Sequence, residues 1–186
     1  MTSQPVTRRD FAAGLALVFP GAALLRSHHV AVPSLRRVAD EMTHDNEAIH
    51  QTVPFKATPA RVYAALTDAA EFDKVVRLSA AMKPGVPAGA PPTVFEPHPG
   101  GAFSAFAGNI VGRQIELAPN TRLIQAWRAT DWKPGIYSIV RFELSARAGG
   151  SVIEFDHTGF PNGQGAHLIE GWRTNYWEPL AKYLAK

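Results

Sequence analysis

The 186-residue chain has no cysteine, which excludes disulfides, thiolate metal sites and cysteine nucleophiles. It carries little charge of either sign: 19 Lys and Arg stand against 16 Asp and Glu, charged residues make up 19% of the chain, and the net charge is +3. No basic run concentrates that excess, so a nucleic-acid stripe is not expected and nucleic acid is set aside as a partner. Apolar runs are short as well. The uncharged stretch from Phe11 to Leu25 reaches about 22 Å as a helix, less than the roughly 30 Å of a bilayer core, and Pro20-Gly21 interrupts it. What is present, 46% apolar residues with 15 Gly and 15 Pro, suits one turn-rich globular domain with a short extension.

The extension reads as an address. Thr7-Arg8-Arg9-Asp10-Phe11 places paired arginines ahead of a moderately apolar segment, an order that resembles the twin-arginine export signal. Residues 1–25 are expected to be a signal segment, residues 26–46 a linker, and residues 47–186 the folded domain. The resemblance implies a periplasmic or secreted protein with no stable membrane span after processing. A non-functional signal would leave it in the cytoplasm. The competing readings are an amphipathic or buried N-terminal helix and a retained membrane anchor. Over the first fifty residues five arginines balance five acids, so the charge excess belongs to residues 51–186.

Periodicity then divides the domain. Glu47 to Phe55 alternates like an edge strand and ends at a proline. Thr58-Pro59 supplies an N-cap with proline at the first helical position, and Asp68 supplies a second cap, which predicts two short helices after strand 1. Six prolines between Pro84 and Pro99 predict a loop with no regular element. Strands are predicted over 102–107, 110–117, 121–128, 137–144 and 151–158, separated by hairpin-like turns in an antiparallel meander. From Ala166 onward, Leu168, Trp172, Tyr176, Leu180 and Leu184 form a stripe at intervals of four. This predicts a long C-terminal helix on the sheet, kinked at Pro179.

Several of these segments in this order resemble the SRPBCC superfamily. They are the run from Phe55 to Asp68, Gly100-Gly101-Ala102-Phe103, Gln125-Ala126-Trp127-Arg128, His157-Thr158-Gly159-Phe160-Pro161, Gly171-Trp172 and Tyr176-Trp177. Within that superfamily they look most like bacterial domains related to the C-terminal part of the activator of heat-shock protein 90 ATPase. The resemblance implies an α+β helix-grip fold, a curved antiparallel β-sheet wrapped around a long C-terminal α-helix, with an apolar cavity between them. It also implies binding of a small apolar or amphipathic molecule. The proline-rich insertion and the export-like extension depart from the family pattern.

Strand parity narrows the candidates. On the last strand Ile153, Phe155 and His157 share one face, and on the strand before it Ser138, Val140, Phe142 and Leu144 do; for 121–128 parity does not choose. The candidate ligand-binding set is Trp127, Phe142, Phe155, His157, Trp172 and Tyr176. For the aromatics the bland alternative is simple core filling. His157 is either a hydrogen-bonded core histidine or a polar group and proton carrier in the cavity. No histidine pair has metal-ligand spacing, and no serine elbow or phosphate loop occurs, so no metal, cofactor or catalytic residue is assigned. Three readings remain: a binding module, a cyclase or dehydratase using His157 with Tyr137 or Asp156, and a chaperone-activator-like interaction module.

Overall fold

The computed structural model describes residues 47–185; the segments expected to be a signal and a linker, with His28, His29 and His44, lie outside the described residues. Strand β1 (Ala48–Phe55) leads into helices α1 (Pro59–Thr67) and α2 (Ala69–Val76) and a 3-10 turn at Ala80–Met82. Both expected caps are made: the Thr58 hydroxyl accepts from the Arg61 N–H at 3.4 Å and the Asp68 carboxylate from the Glu71 N–H at 2.9 Å. Six further strands follow, β2 (Val94–Phe95), β3 (Ala102–Ala105), β4 (Ile110–Ala118), β5 (Arg122–Ala129), β6 (Ser138–Arg147) and β7 (Gly150–Thr158). All seven form one curved antiparallel sheet in the order β1-β7-β6-β5-β4-β3-β2. Strand β1 returns to flank β7, with Ile49 opposite His157 and Val53 opposite Ile153.

One face of this sheet is the core. Leu123, Gln125 and Trp127 of β5, Ser138, Val140, Phe142 and Leu144 of β6, and Ile153, Phe155 and His157 of β7 are all buried, which settles the parity of β5. The proline-rich segment is a correction. Val94 and Phe95 pair with Ser104 and Phe103 of β3, because the stretch between Pro92 and Pro97 keeps its backbone N–H groups and can add an edge strand. Strand β3 stops at Ala105, two residues before the expected end, since Phe106 and Ala107 take positive φ of 54° and 57° and begin the turn.

The C-terminal segment consists of helix α3 (Gly165–Trp172), a π turn at Arg173–Trp177 and helix α4 (Glu178–Leu184). The disruption expected at Pro179 takes this form. Proline has no N–H to offer the preceding turn and its ring crowds the carbonyl four residues back, and the turn before it widens so that the Glu178 N–H reaches the Arg173 carbonyl. The widened turn also displaces the apolar stripe at one position, after which it resumes at Leu180. Trp177, not Tyr176, takes the next core position after Trp172, with Leu180 buried beyond it.

Glu47, just ahead of β1, and Gln51 within it hold this segment at its start and at its middle. The Glu47 carboxylate accepts from the Gly163 N–H at 2.9 Å and the Gly165 N–H at 2.8 Å, satisfying free donors at the start of α3. Gln51 accepts from the Trp177 indole N–H at 2.8 Å. Between these ties the aromatic rings interlock: Trp172 lies 4.4 Å from Phe155 and 5.5 Å from Trp177, centroid to centroid.

Candidate functional site

Where α3 and the π turn cross the sheet, the packing leaves a cavity of about 280 Å³. Its floor is made by buried Phe106, Trp127, Trp132, Leu168 and Trp172, with half-buried Tyr176 beside them. Exposed Asn109, Asp131 and His167 stand at its mouth. The turn after β3 brings Phe106 in at a backbone cost. A bulky residue at φ 54° is strained by roughly 1–3 kcal/mol, and the Asn109 side chain steadies the turn by donating to the Phe106 carbonyl at 2.8 Å. The Phe106 ring lies 5.1 Å from that of Tyr176.

The six predicted residues divide evenly. Trp127, Trp172 and Tyr176 line the cavity, while Phe142, Phe155 and His157 lie in the packed core outside its wall. Phe142 and Phe155 face each other across β6 and β7 with centroids 5.1 Å apart. Sequence reasoning missed Phe106, Trp132 and Gly171. Trp132 lies just past β5, 5.4 Å from Trp127, and its composition was the only clue. Gly171 precedes Trp172 on the cavity side of α3, and a β-carbon added there would meet nothing within 4 Å.

His157 is the buried hydrogen-bonded core histidine, and its neighbours define its tautomer. The Ser138 hydroxyl donates to the Trp127 carbonyl at 3.0 Å and accepts from His157 Nε2 at 2.7 Å. His157 Nδ1 then accepts from the Trp172 indole N–H at 3.0 Å. Both ring nitrogens are used, which requires a neutral imidazole. Burial also disfavours the charged form and lowers the pKa to about 3. The acid–base grouping considered from the sequence does not assemble. Asp156 points to the opposite face of β7, bound by His50 at 2.7 Å and Arg141 at 2.6 Å, and Tyr137 is exposed.

Burial against the aromatic wall raises the pKa of the Tyr176 hydroxyl, offset in part by the Trp127 indole N–H beside it. No group of three His, Asp or Glu among the described residues is arranged to hold a metal ion. No described helix is long and apolar enough to cross a membrane.

Three comparisons bear on this arrangement. The family model described as "Activator of Hsp90 ATPase homolog 1-like protein" matches residues 56–185. The chain is 29% identical over 89 residues to the mouse activator of 90 kDa heat shock protein ATPase homolog 2, covering 48% of this chain and 27% of the relative. It is 33% identical over 82 residues to the Dictyostelium discoideum homolog, covering 44% and 21%. The aligned regions thus span about a quarter of these curated relatives. The crystal structure of an HSP90 activator from Plasmodium falciparum superposes with a TM-score of 0.64 at 23% identity, over 74% of this chain and 96% of that one.

A lowered histidine pKa makes stability depend on acidity. Between the unfolded value of about 6.5 and the folded value of about 3 the unfolded chain binds a proton that the folded protein refuses, so stability is full above that window and falls as pH drops through it. From pH 7 to pH 5 this one group costs about 2 kcal/mol. Urea denaturation at both pH values is expected to show that loss in the wild type and a clearly smaller one in His157→Gln. Equal losses would mean that His157 is not held neutral.

Proposed function

The chain belongs to the activator of Hsp90 ATPase homolog 1-like protein family, and from that membership and the cavity we propose that it is an exported binding domain whose helix–sheet cavity holds a small apolar or amphipathic molecule. The observation that carries this reading is Gly171. A glycine inside a helix costs about 1 kcal/mol relative to alanine, yet nothing in the structure crowds the position. What its missing side chain preserves is open space against Trp127, Trp172 and Tyr176. Concave aromatic walls with few polar groups are the usual make-up of small-molecule sites.

The names of the matched relatives favour a second reading, that this domain docks on a chaperone as an interaction module. The two readings part at location, because an exported domain does not meet a cytosolic partner. Export is supported by Arg8-Arg9 ahead of the apolar segment Phe11 to Leu25.

Two experiments follow. With the neutral dye N-phenyl-1-naphthylamine, the wild type is expected to give saturable fluorescence enhancement. Gly171→Leu is expected to bind at least about tenfold more weakly, a difference of about 1.4 kcal/mol, while unfolding at the same or a higher temperature. Unchanged affinity would remove the cavity as the binding place. Separately, replacing both Arg8 and Arg9 by lysine should hold the protein in the cytoplasm on fractionation. An unaltered distribution would overturn export and favour the interaction module.

A further inference from the structure

A second cavity, of about 210 Å³, lies between the end of helix α2 and the proline-rich segment. Val76, Val86, Ala90, Pro92 and Ala107 give it an apolar lining, with Asp73 and Arg77 as its charged groups. Its outer wall is held in place. Pro84, Pro87, Pro91 and Pro92 fix the backbone angles of the segment, and the Thr93 hydroxyl donates to the Asp73 carboxylate on α2. Pro91 also packs on Gly108, where an added β-carbon would lie 3.0 Å from its ring. Val86, 43% exposed, is thus part of a lining rather than a stray apolar residue at the surface.

The two cavities meet at one side chain. Phe106 lines the first and Ala107 the second, so successive residues of the left-handed turn serve different cavities. Met82 alone, among the described residues, lines both. Its backbone is pinned: the Met82 N–H donates to the hydroxyl of fully buried Ser79 at 3.3 Å, and the N–H of Ala81 before it donates to the Asn175 side chain at 2.8 Å. The side chain is not so held. Methionine is unbranched, has three rotatable bonds and loses no hydrogen bond on turning, whereas a β-branched residue would make a stiff wall. The partition is therefore a movable side chain on a fixed backbone.

The two spaces also differ in character. Trp127, Trp132, Trp172 and Tyr176 give the first flat aromatic walls, while the second is lined by aliphatic side chains and proline rings with no aromatic ring. A ring system matches the first and a flexible alkyl chain the second. Resting on the binding reading above, we propose that Met82 sets ligand length: the two cavities are halves of one site for a compact head carrying an unbranched alkyl chain, with the head against the tryptophans and the chain passing Met82 into the space beneath the proline-rich segment. With the Met82 side chain across the gap the site takes short ligands, and with it turned aside the site takes long ones.

Calorimetric titration of the full chain with 4-butylphenol and 4-octylphenol, which differ only in chain length, tests this. Each methylene moved from water into an apolar site raises affinity about fourfold, so the octyl compound is expected to bind at least about tenfold more tightly than the butyl one. Ala90→Phe, which fills the second cavity and leaves Met82 in place, should lower that ratio severalfold; an unchanged ratio would overturn the proposal. Met82→Ala, which removes the partition, should raise the ratio about tenfold, and adding Ala90→Phe should cancel the gain. A gain that survives Ala90→Phe would mean that truncation has only enlarged the first cavity, and would overturn the proposal. Should Met82→Ala fail to fold, Ala90→Phe decides alone. Equal binding of the two phenols by the wild type would overturn the length rule while leaving the first cavity as a binding site. Binding of neither would overturn this inference together with the binding reading beneath it.

Discussion

The polar connection buried deepest in the apolar seam between helix and sheet is a relay: Trp172 donates to His157, His157 to Ser138, and Ser138 to the Trp127 carbonyl. Apolar packing alone is tolerant of small shifts, because contact between hydrocarbon surfaces has no preferred direction. A buried donor without its acceptor costs on the order of 1–3 kcal/mol, so each link in this chain penalises displacement of the helix along or across the strands. The links fix the separation between Trp172 on α3 and Trp127 on β5, which both line the cavity. A histidine can serve here only while neutral. Its burial and its two partners keep it so, and the same arrangement removes it from any acid–base role in the cavity.

The cavity itself comes from three local departures from regular structure on either side of that connection. Pro179 forces a π turn, and the extra residue sends Trp177 into the core and leaves Tyr176 facing the open space. Gly171 omits a side chain on the helix wall. Phe106 enters from the sheet side on a strained turn. Each is locally unfavourable, in lost backbone bonding, in helix propensity or in dihedral strain. All three lie on one site.

What was legible in the sequence follows the same division. Caps at Thr58 and Asp68 and the alternation in β6 and β7 are periodic or local signals, and the structure carries them as read. Strand β2 escaped because its pairing partner, β3, is needed to see that two residues between prolines can form an edge. Tyr176 and Trp177 exchanged places because a strict interval of four assumes an uninterrupted α-helix, and a π turn breaks that interval by one. His157, Phe142 and Phe155 were placed on the correct face, but a face is shared by core and cavity, and the boundary between them depends on where the helix crosses. Gly171 gives no positive signal in a sequence: what matters about it is the absence of atoms.

The most direct test of a small molecule held between helix and sheet is native mass spectrometry of the chain purified from its own host. The expected result is a population heavier than the bare polypeptide by the mass of one small organic molecule, released on collisional activation and absent from Gly171→Leu prepared in the same way. The bare polypeptide mass alone, under conditions that preserve a control complex of comparable affinity, would contradict it.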